Sequence, residues 1–375
     1  MKEVVFETQY KNLNTEQKRA VDSVEGPMIV IAGPGTGKTS ILTLRIANIL
    51  RKTDTQPENI LALTFTESGV HSMRKKLLEI VGASAYRIPI HTFHSFCNEI
   101  IKNFPQEFPR IIGAQHVTDL DQINILESVL ESTKLTALKP SGNPVYYLKP
   151  ILNFIKELKR EDVDSKEYLK IVKDFENDLL NVDDLKHEKG VHKGEIKAKY
   201  KPLLRKIENS RELALVYSKY EEALEENRLY DFEDMIVEVL RILRSNKELL
   251  LELQETYQYV LADEHQDANR GQNRLLEFLS GFHENPNLFV VGDEKQAIFR
   301  FQGASLENFL YFKKRFPEAE VVSLVKNYRS TQGILDASHE LISKNTSGAI
   351  ERVKLEAKDK ERKISISIAN LDTPQ

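Results

Sequence analysis

Cysteine is almost absent: Cys97 stands alone in 375 residues. That excludes an internal disulfide framework and any thiolate metal cluster, and it fits a reducing cytoplasm. No zinc site is readable. Long apolar runs are missing as well, none approaching the roughly 18 residues of a membrane span. The N-terminus, Met1-Lys-Glu-Val-Val-Phe-Glu-Thr-Gln-Tyr10, is too polar for a signal peptide. The chain is therefore expected to be soluble and cytoplasmic, with no membrane partner. A strong charge of either sign is also lacking. The formal net charge of −4 argues neither for nor against nucleic acid, because a groove needs a local basic stripe rather than a basic whole. Internal repeats and low-complexity segments are not evident. What remains is a globular composition, 41% hydrophobic, long enough for two or three domains.

The stretch from Met28 to Leu50 reads as a buried strand, Met28-Ile-Val-Ile-Ala32, a turn, Gly33-Pro-Gly-Thr-Gly37, and an amphipathic helix beginning near Lys38. This is the context of a phosphate-binding loop. Gly33, Gly35 and Gly37 let the backbone aim several N–H groups at one anion, and the helix adds its positive dipole end. Lys38 would reach the β- and γ-phosphates of a triphosphate, and the Thr39 hydroxyl would ligate the magnesium that bridges them. ATP and Mg2+ are the implied ligands. Ala32 stands where the strict pattern has glycine.

From about 13 to 110, strand-like runs (28–32, 60–65 and near Ile90) alternate with helical ones (38–50, about 68–81, and through about 104). That predicts a parallel α/β layer structure. Charged helical periodicity replaces the strands between about 116 and 213, and strands return at 257–262 and 288–291. The expected architecture is a discontinuous parallel sheet, residues 1–115 and 214–320, interrupted by an all-helical subdomain, 116–213. After Val321-Val-Ser-Leu324 come one helix (about 331–343) and the alternating run Lys363-Ile-Ser-Ile-Ser-Ile368.

Two carboxylates, Asp263 and Glu264, end the apolar run Tyr257–Ala262, at the edge where α/β sheets bind ligands. Asp263 would hold magnesium, and Glu264 would orient and deprotonate the attacking water. Beyond the strand 287–293, Gln296 can hydrogen-bond the γ-phosphate or the water. Phe299 and Phe301, two apart, would present both rings to one side for base stacking. Between Lys186 and Lys206, eight lysines and arginines face two glutamates. That stretch is either a duplex-phosphate contact or a solvated helix face.

The motifs in order resemble a superfamily 1 DNA helicase of the UvrD/Rep type, over nearly the whole chain. Leu13-Asn-Thr-Glu-Gln17 is similar to the glutamine motif, in which Gln17 would read the adenine edge. Ala32-Gly33-Pro34-Gly35-Thr36-Gly37-Lys38-Thr39 is the phosphate loop as that family writes it. Thr64-Phe65-Thr66 and Thr92-Phe-His94-Ser95 resemble segments that touch the single strand, and Tyr230-Asp-Phe232-Glu-Asp234 a further DNA-side motif. Asp263-Glu-His-Gln-Asp267 matches the family's Asp-Glu-x-Gln-Asp signature. In Asn327-Tyr328-Arg329-Ser-Thr331, Tyr328 would stack on adenine and Arg329 reach the γ-phosphate.

The resemblance implies a RecA-like P-loop NTPase fold and an ATP-dependent translocase and helicase moving 3′ to 5′, acting on single-stranded DNA and single-strand/duplex junctions. The chain departs from the family pattern at Glu67-Ser-Gly-Val70, at Phe299, at Gln302 and at His265. Too few residues follow Thr331 for a second motor domain, since domains begin at roughly 50 residues. Residues 321–375 are therefore expected to be the incomplete start of that domain, which a second chain or a C-terminal half would complete. Two other readings stay open: a nucleotide-gated DNA-binding module without efficient turnover, and a P-loop kinase.

Overall fold

The structure, a computed structural model, describes residues 3–138, 147–187, 189, 192–293, 306–343 and 354–359. In chain order the described elements are α1 (Glu3–Lys11), α2 (Thr15–Asp22), β1 (Met28–Ala32), α3 (Lys38–Lys52), β2 (Ile60–Thr64), α4 (Glu67–Val81), β3 (Ile90–Thr92) and α5 (Phe93–Asn103). There follow β4 (Gln115–His116), α6 (Asp119–Ser132), α7 (Leu148–Arg160), α8 (Ser165–Leu180), α9 (Lys201–Glu226), β5 (Leu229–Tyr230) and α10 (Asp234–Ser245). The last are α11 (Lys247–Thr256), β6 (Tyr259–Ala262), α12 (Arg270–Ser280), β7 (Leu288–Gly292), α13 (Leu306–Arg315), β8 (Glu320–Leu324), β9 (Lys326–Asn327), α14 (Gln332–Ser343) and β10 (Glu356–Ala357). The chain divides into two compact units, Met1–Phe96 with Asn246–Gln375, and Cys97–Ser245.

The first unit is built on a six-stranded sheet in the order β3-β2-β6-β7-β1-β8. All of its pairings are parallel. Its inner strands are nearly continuous apolar runs, as strands covered by helices on both faces must be. Val30, Ala62, Leu261 and Val291 from the sheet pack in one core with Ile41 and Leu44 of α3 and Met73 and Leu77 of α4. A parallel sheet brings every strand's C-terminal end to one edge, so the loops after β1 and β6 emerge together there. The expected α/β sheet, completed from both sides of the helical segment, is what forms.

Three boundaries differ from the expectation. A break at 321 cuts β8, which pairs along β1 from Met28↔Glu320 to Ala32↔Leu324. Val322 and Leu324 belong to the first unit's core, so this strand is the sheet's sixth and does not open a new one. A break at 213 falls inside α9, a single helix through Glu226. The helical unit is also wider than 116–213 and not purely helical, because β4 and β5 form a two-residue parallel pair. Two residues are too few to show a strand's alternating period. The run 363–368 lies outside the described residues.

In the second unit, Leu126 and Val129 of α6, Ile151, Leu152 and Ile155 of α7, and Tyr217, Tyr220 and Leu224 of α9 share a core. The apolar stripe of α7 (Leu148, Ile151, Leu152, Ile155) continues to Lys159, whose side chain is wholly buried. Its Nζ lies 2.6 Å from Glu221, 2.6 Å from Asp231 and 2.8 Å from Asp234. Arg110 adds a contact of 2.7 Å to Glu221 and one of 3.6 Å to Glu238.

Candidate nucleotide site

The loop after β1 turns as its glycines permit. Gly35 and Gly37 have φ of +75° and +93°, in the left-handed region that a side chain disfavours. Gly37 caps α3, so that helix points its N-terminal amides into the loop, as an anion site requires. Thr36 is fully buried and braces the turn by donating its hydroxyl to the Gly33 carbonyl at 2.8 Å. Ala32 ends the strand in the core, where its small side chain is fully covered.

Lys38, the first residue of α3, extends to the loop that follows β6. Its Nζ lies 2.6 Å from Glu264 Oε2 across 226 residues of chain. Glu264 has φ +51°, a left-handed backbone that a non-glycine residue adopts only when its surroundings enforce it. Gln266 provides part of that enforcement. Its Nε2 donates to Glu264 Oε2 at 2.8 Å, and its Oε1 accepts from the Asp293 N–H at the end of β7 at 3.0 Å. Asp263 is buried and accepts the Glu264 N–H at 2.9 Å. Burial, and then the Glu264 charge, push its carboxyl up to about 6. His265 is also buried and bonds Asn273 at 2.8 Å, with its ring edge-on to Phe312. Burial drives its pKa down to about 4, so it is a neutral anchor of this turn.

Lys38 and Glu264 border a cavity of about 900 Å3, lined also by Pro34, Gly35, Thr39, Tyr328 and Arg329. Gln17 lines the same cavity. Its Nε2 donates to the Thr36 carbonyl at 2.8 Å, and its Oε1 accepts from the Tyr328 hydroxyl at 3.3 Å. Asn14 forms a capping box with Gln17 at the start of α2, and its Nδ2 donates to the Tyr328 hydroxyl at 3.3 Å. The tip of Gln17 is thus held by protein groups. Asn14-Thr-Glu-Gln17 carries the Asn-x-x-Gln spacing of a capping box, a signal that could have identified Asn14. Nothing local marks Lys76, Glu79 and Lys358, which also line the cavity.

The structure therefore brings together Gln17, Ala32 to Thr39, Asp263, Glu264, Tyr328 and Arg329. Gln296, Phe299 and Phe301 lie outside the described residues, as does Gln302. Thr64 is buried at the end of β2, and a Cβ on Gly69 would stand 2.6 Å from its hydroxyl. Phe65 packs edge-on against Phe93, with ring centroids 5.6 Å apart, and His94 is half-buried. Thr92 donates its hydroxyl to Glu67 at 3.2 Å, so the carboxylate that departs from the family pattern has a partner at the N-terminus of α4. In the second unit, Phe232 is 46% exposed while Asp231 and Asp234 beside it are fully buried. Asp231 and Asp234 are bound to Lys159 and Glu233 to Arg160, so within that motif Phe232 is the exposed side chain and Tyr230 is half-buried.

The model of the UvrD/REP helicase N-terminal domain matches residues 13–317. Similar proteins include the ATP-dependent DNA helicase PcrA of Staphylococcus aureus (strain Mu50 / ATCC 700699), 33% identical over 340 residues that cover 89% of this chain and 40% of that protein. The ATP-dependent DNA helicase PcrA of Staphylococcus epidermidis (strain ATCC 12228 / FDA PCI 1200) is 33% identical over 336 residues, covering 90% and 40%. The chain thus spans about 40% of the length of these curated relatives. With a match over most of its length, and a RecA-like parallel sheet carrying the phosphate loop and the carboxylate pair at one edge, the chain belongs to the UvrD/REP helicase N-terminal domain family.

Proposed function

We propose that this chain is the N-terminal motor segment of an ATP-dependent translocase that moves along single-stranded DNA and opens duplex at junctions. The observation that carries the reading is the meeting of Lys38 and Glu264 at 2.6 Å beside a cavity that Gln17 and Tyr328 also line. A phosphate cation and a general base, and a carboxamide and an aromatic ring for a purine, thus line one cavity. When a triphosphate enters, Lys38 transfers from Glu264 to the phosphates. The released carboxylate is then able to accept the proton of the attacking water.

Thr39 on the cavity wall and buried Asp263 suit magnesium: both offer hard oxygen ligands, and the Asp263 carboxyl, raised by burial, is a charge that a cation would relieve. Magnesium, when bound, would neutralise charge on the phosphates. Arg329 borders the same cavity and is the residue for the terminal phosphate. In the first unit DNA is assigned to Thr64, Phe65, Thr92, His94, Phe299 and Phe301, and in the second unit, separately, to Phe232.

Phosphate release from ATP, titrated with single-stranded DNA and without any acceptor, tests the reading. Turnover that rises with DNA supports it. Absence of turnover would favour a nucleotide-gated binding module, and dependence on a small acceptor would favour a kinase.

A further inference from the structure

We propose that Asn327 is a positioning residue that seats the Tyr328–Arg329 segment on the phosphate loop and so sets where Arg329 meets the terminal phosphate. The inference rests on the assignment of Arg329 to that phosphate. Asn327 ends β9 and is 1% exposed. Its Oδ1 accepts the N–H groups of Arg329 at 2.8 Å and Ser330 at 2.7 Å, which closes the chain into an Asx-type turn. Its Nδ2 donates to the Pro34 carbonyl. Beside it, the Tyr328 N–H donates to the Gly35 carbonyl at 2.8 Å. One carboxamide therefore shapes the turn that carries Arg329 and fastens that turn to the loop.

The loop is built to receive it. A Cβ on Gly35 would lie 2.6 Å from Arg329 Cβ and 3.0 Å from Asn327 Nδ2, so the seat needs a glycine for space as well as for its φ of +75°. A Cβ on Gly33 would lie 2.6 Å from Leu355 Cδ1, just before β10, the strand that pairs with β9. The Lys358 N–H donates to the Asn327 carbonyl at 2.8 Å, which ties the seated strand to its neighbour. Buried carboxamides with both ends bonded are costly to replace, because either half leaves an unpaired group.

Asn327→Asp separates the two functions of the side chain. The carboxylate still accepts from Arg329 and Ser330, but it has no proton for Pro34 and repels that carbonyl. The affinities of the chain for a non-hydrolysable ATP analogue and for ADP, each with Mg2+, are to be measured alongside the nucleotide-free melting temperature. The variants are Asn327→Asp, Arg329→Ala and the double variant. Expected is a loss of roughly tenfold in the preference for the analogue over ADP, the scale of one hydrogen bond to a charged group. The loss should be the same in both single variants and no larger in the double one. ADP affinity should be unchanged in every variant, and melting temperature unchanged in Arg329→Ala but lowered in Asn327→Asp by the buried carboxylate facing Pro34. If Arg329→Ala loses the preference while Asn327→Asp keeps it, the positioning role is overturned. A parallel fall in both affinities would reduce Asn327 to a structural residue. Should Arg329→Ala itself keep the preference, the assignment of Arg329 fails, and the proposal with it.

Discussion

Replacing Lys159 with methionine should be among the most damaging single changes in the helical unit. The methionine fits the stem of the lysine and continues the apolar stripe of α7, so the perturbation is electrostatic. Lys159 Nζ serves three carboxylates, on Glu221, Asp231 and Asp234, at 2.6–2.8 Å, and the last two are fully buried. Removing one partner of a buried ion cluster leaves uncompensated charge and costs about 3–5 kcal/mol. Arg110 remains beside Glu221 and Glu238 and reaches Asp234 only at 4.0 Å, so it offsets the loss only in part.

The loss carries a pH signature. Burial pushes Asp231 up to about 7 even with Lys159 present. Against its own burial, Lys159 and Arg110 hold Asp234 low. Without Lys159 both carboxyls rise. A carboxyl raised on folding stabilises below its unfolded value of about 3.9 and loses that contribution as pH climbs through the folded one. The deficit should therefore be largest near pH 8 and shrink as pH falls below 7.

Hydrogen exchange of peptides from α7, α9 and α10, read by mass spectrometry, isolates the opening free energy of this unit. Asp231→Asn with Asp234→Asn should restore much of the loss, because the buried charges are then gone. A loss below about 1 kcal/mol, or the same loss in that double background, would refute the view that an uncompensated cluster is responsible.

Lys38→Ala should abolish nucleotide turnover while leaving the melting temperature within a few degrees, because Lys38 faces Glu264 and the cavity rather than the core; retained turnover would remove this loop from the site. Glu264→Gln should retain ATP binding and stop hydrolysis, since an amide keeps the shape but cannot take the proton of the water. A collapse of ATP affinity would assign Glu264 to structure or metal instead. In the basic stretch, Lys197 and Lys199 are paired with Asp184, whereas Lys193, Lys201 and Lys206 are exposed. Neutralising those three should flatten the salt dependence of duplex binding if the unit touches phosphates, and an unchanged slope would make this a solvated face.

The phosphate loop, the carboxylate pair after β6 and the parallel α/β class were legible in the sequence because each is written in consecutive residues. Three glycines ahead of Lys38-Thr39 dictate a tight turn at a helix start, and near-continuous apolar runs dictate strands buried on both faces. Boundaries were less legible. Whether β8 opens a new sheet or closes the first depends on which core Val322 and Leu324 enter, and α9 runs past its expected end because one helix serves the apolar core and the ion cluster at once.

Pairings between distant residues could not be read at all. Lys159 carries only the hint of a charge on an apolar stripe, and nothing local to it names Asp231 or Asp234. Nothing near Asn327 names Pro34, 293 residues away. Backbone propensity and hydrophobic period act over a few residues and are recorded in the chain itself. A buried charge or carboxamide is satisfied by whichever group the packed core delivers, and only the tertiary structure decides which one that is.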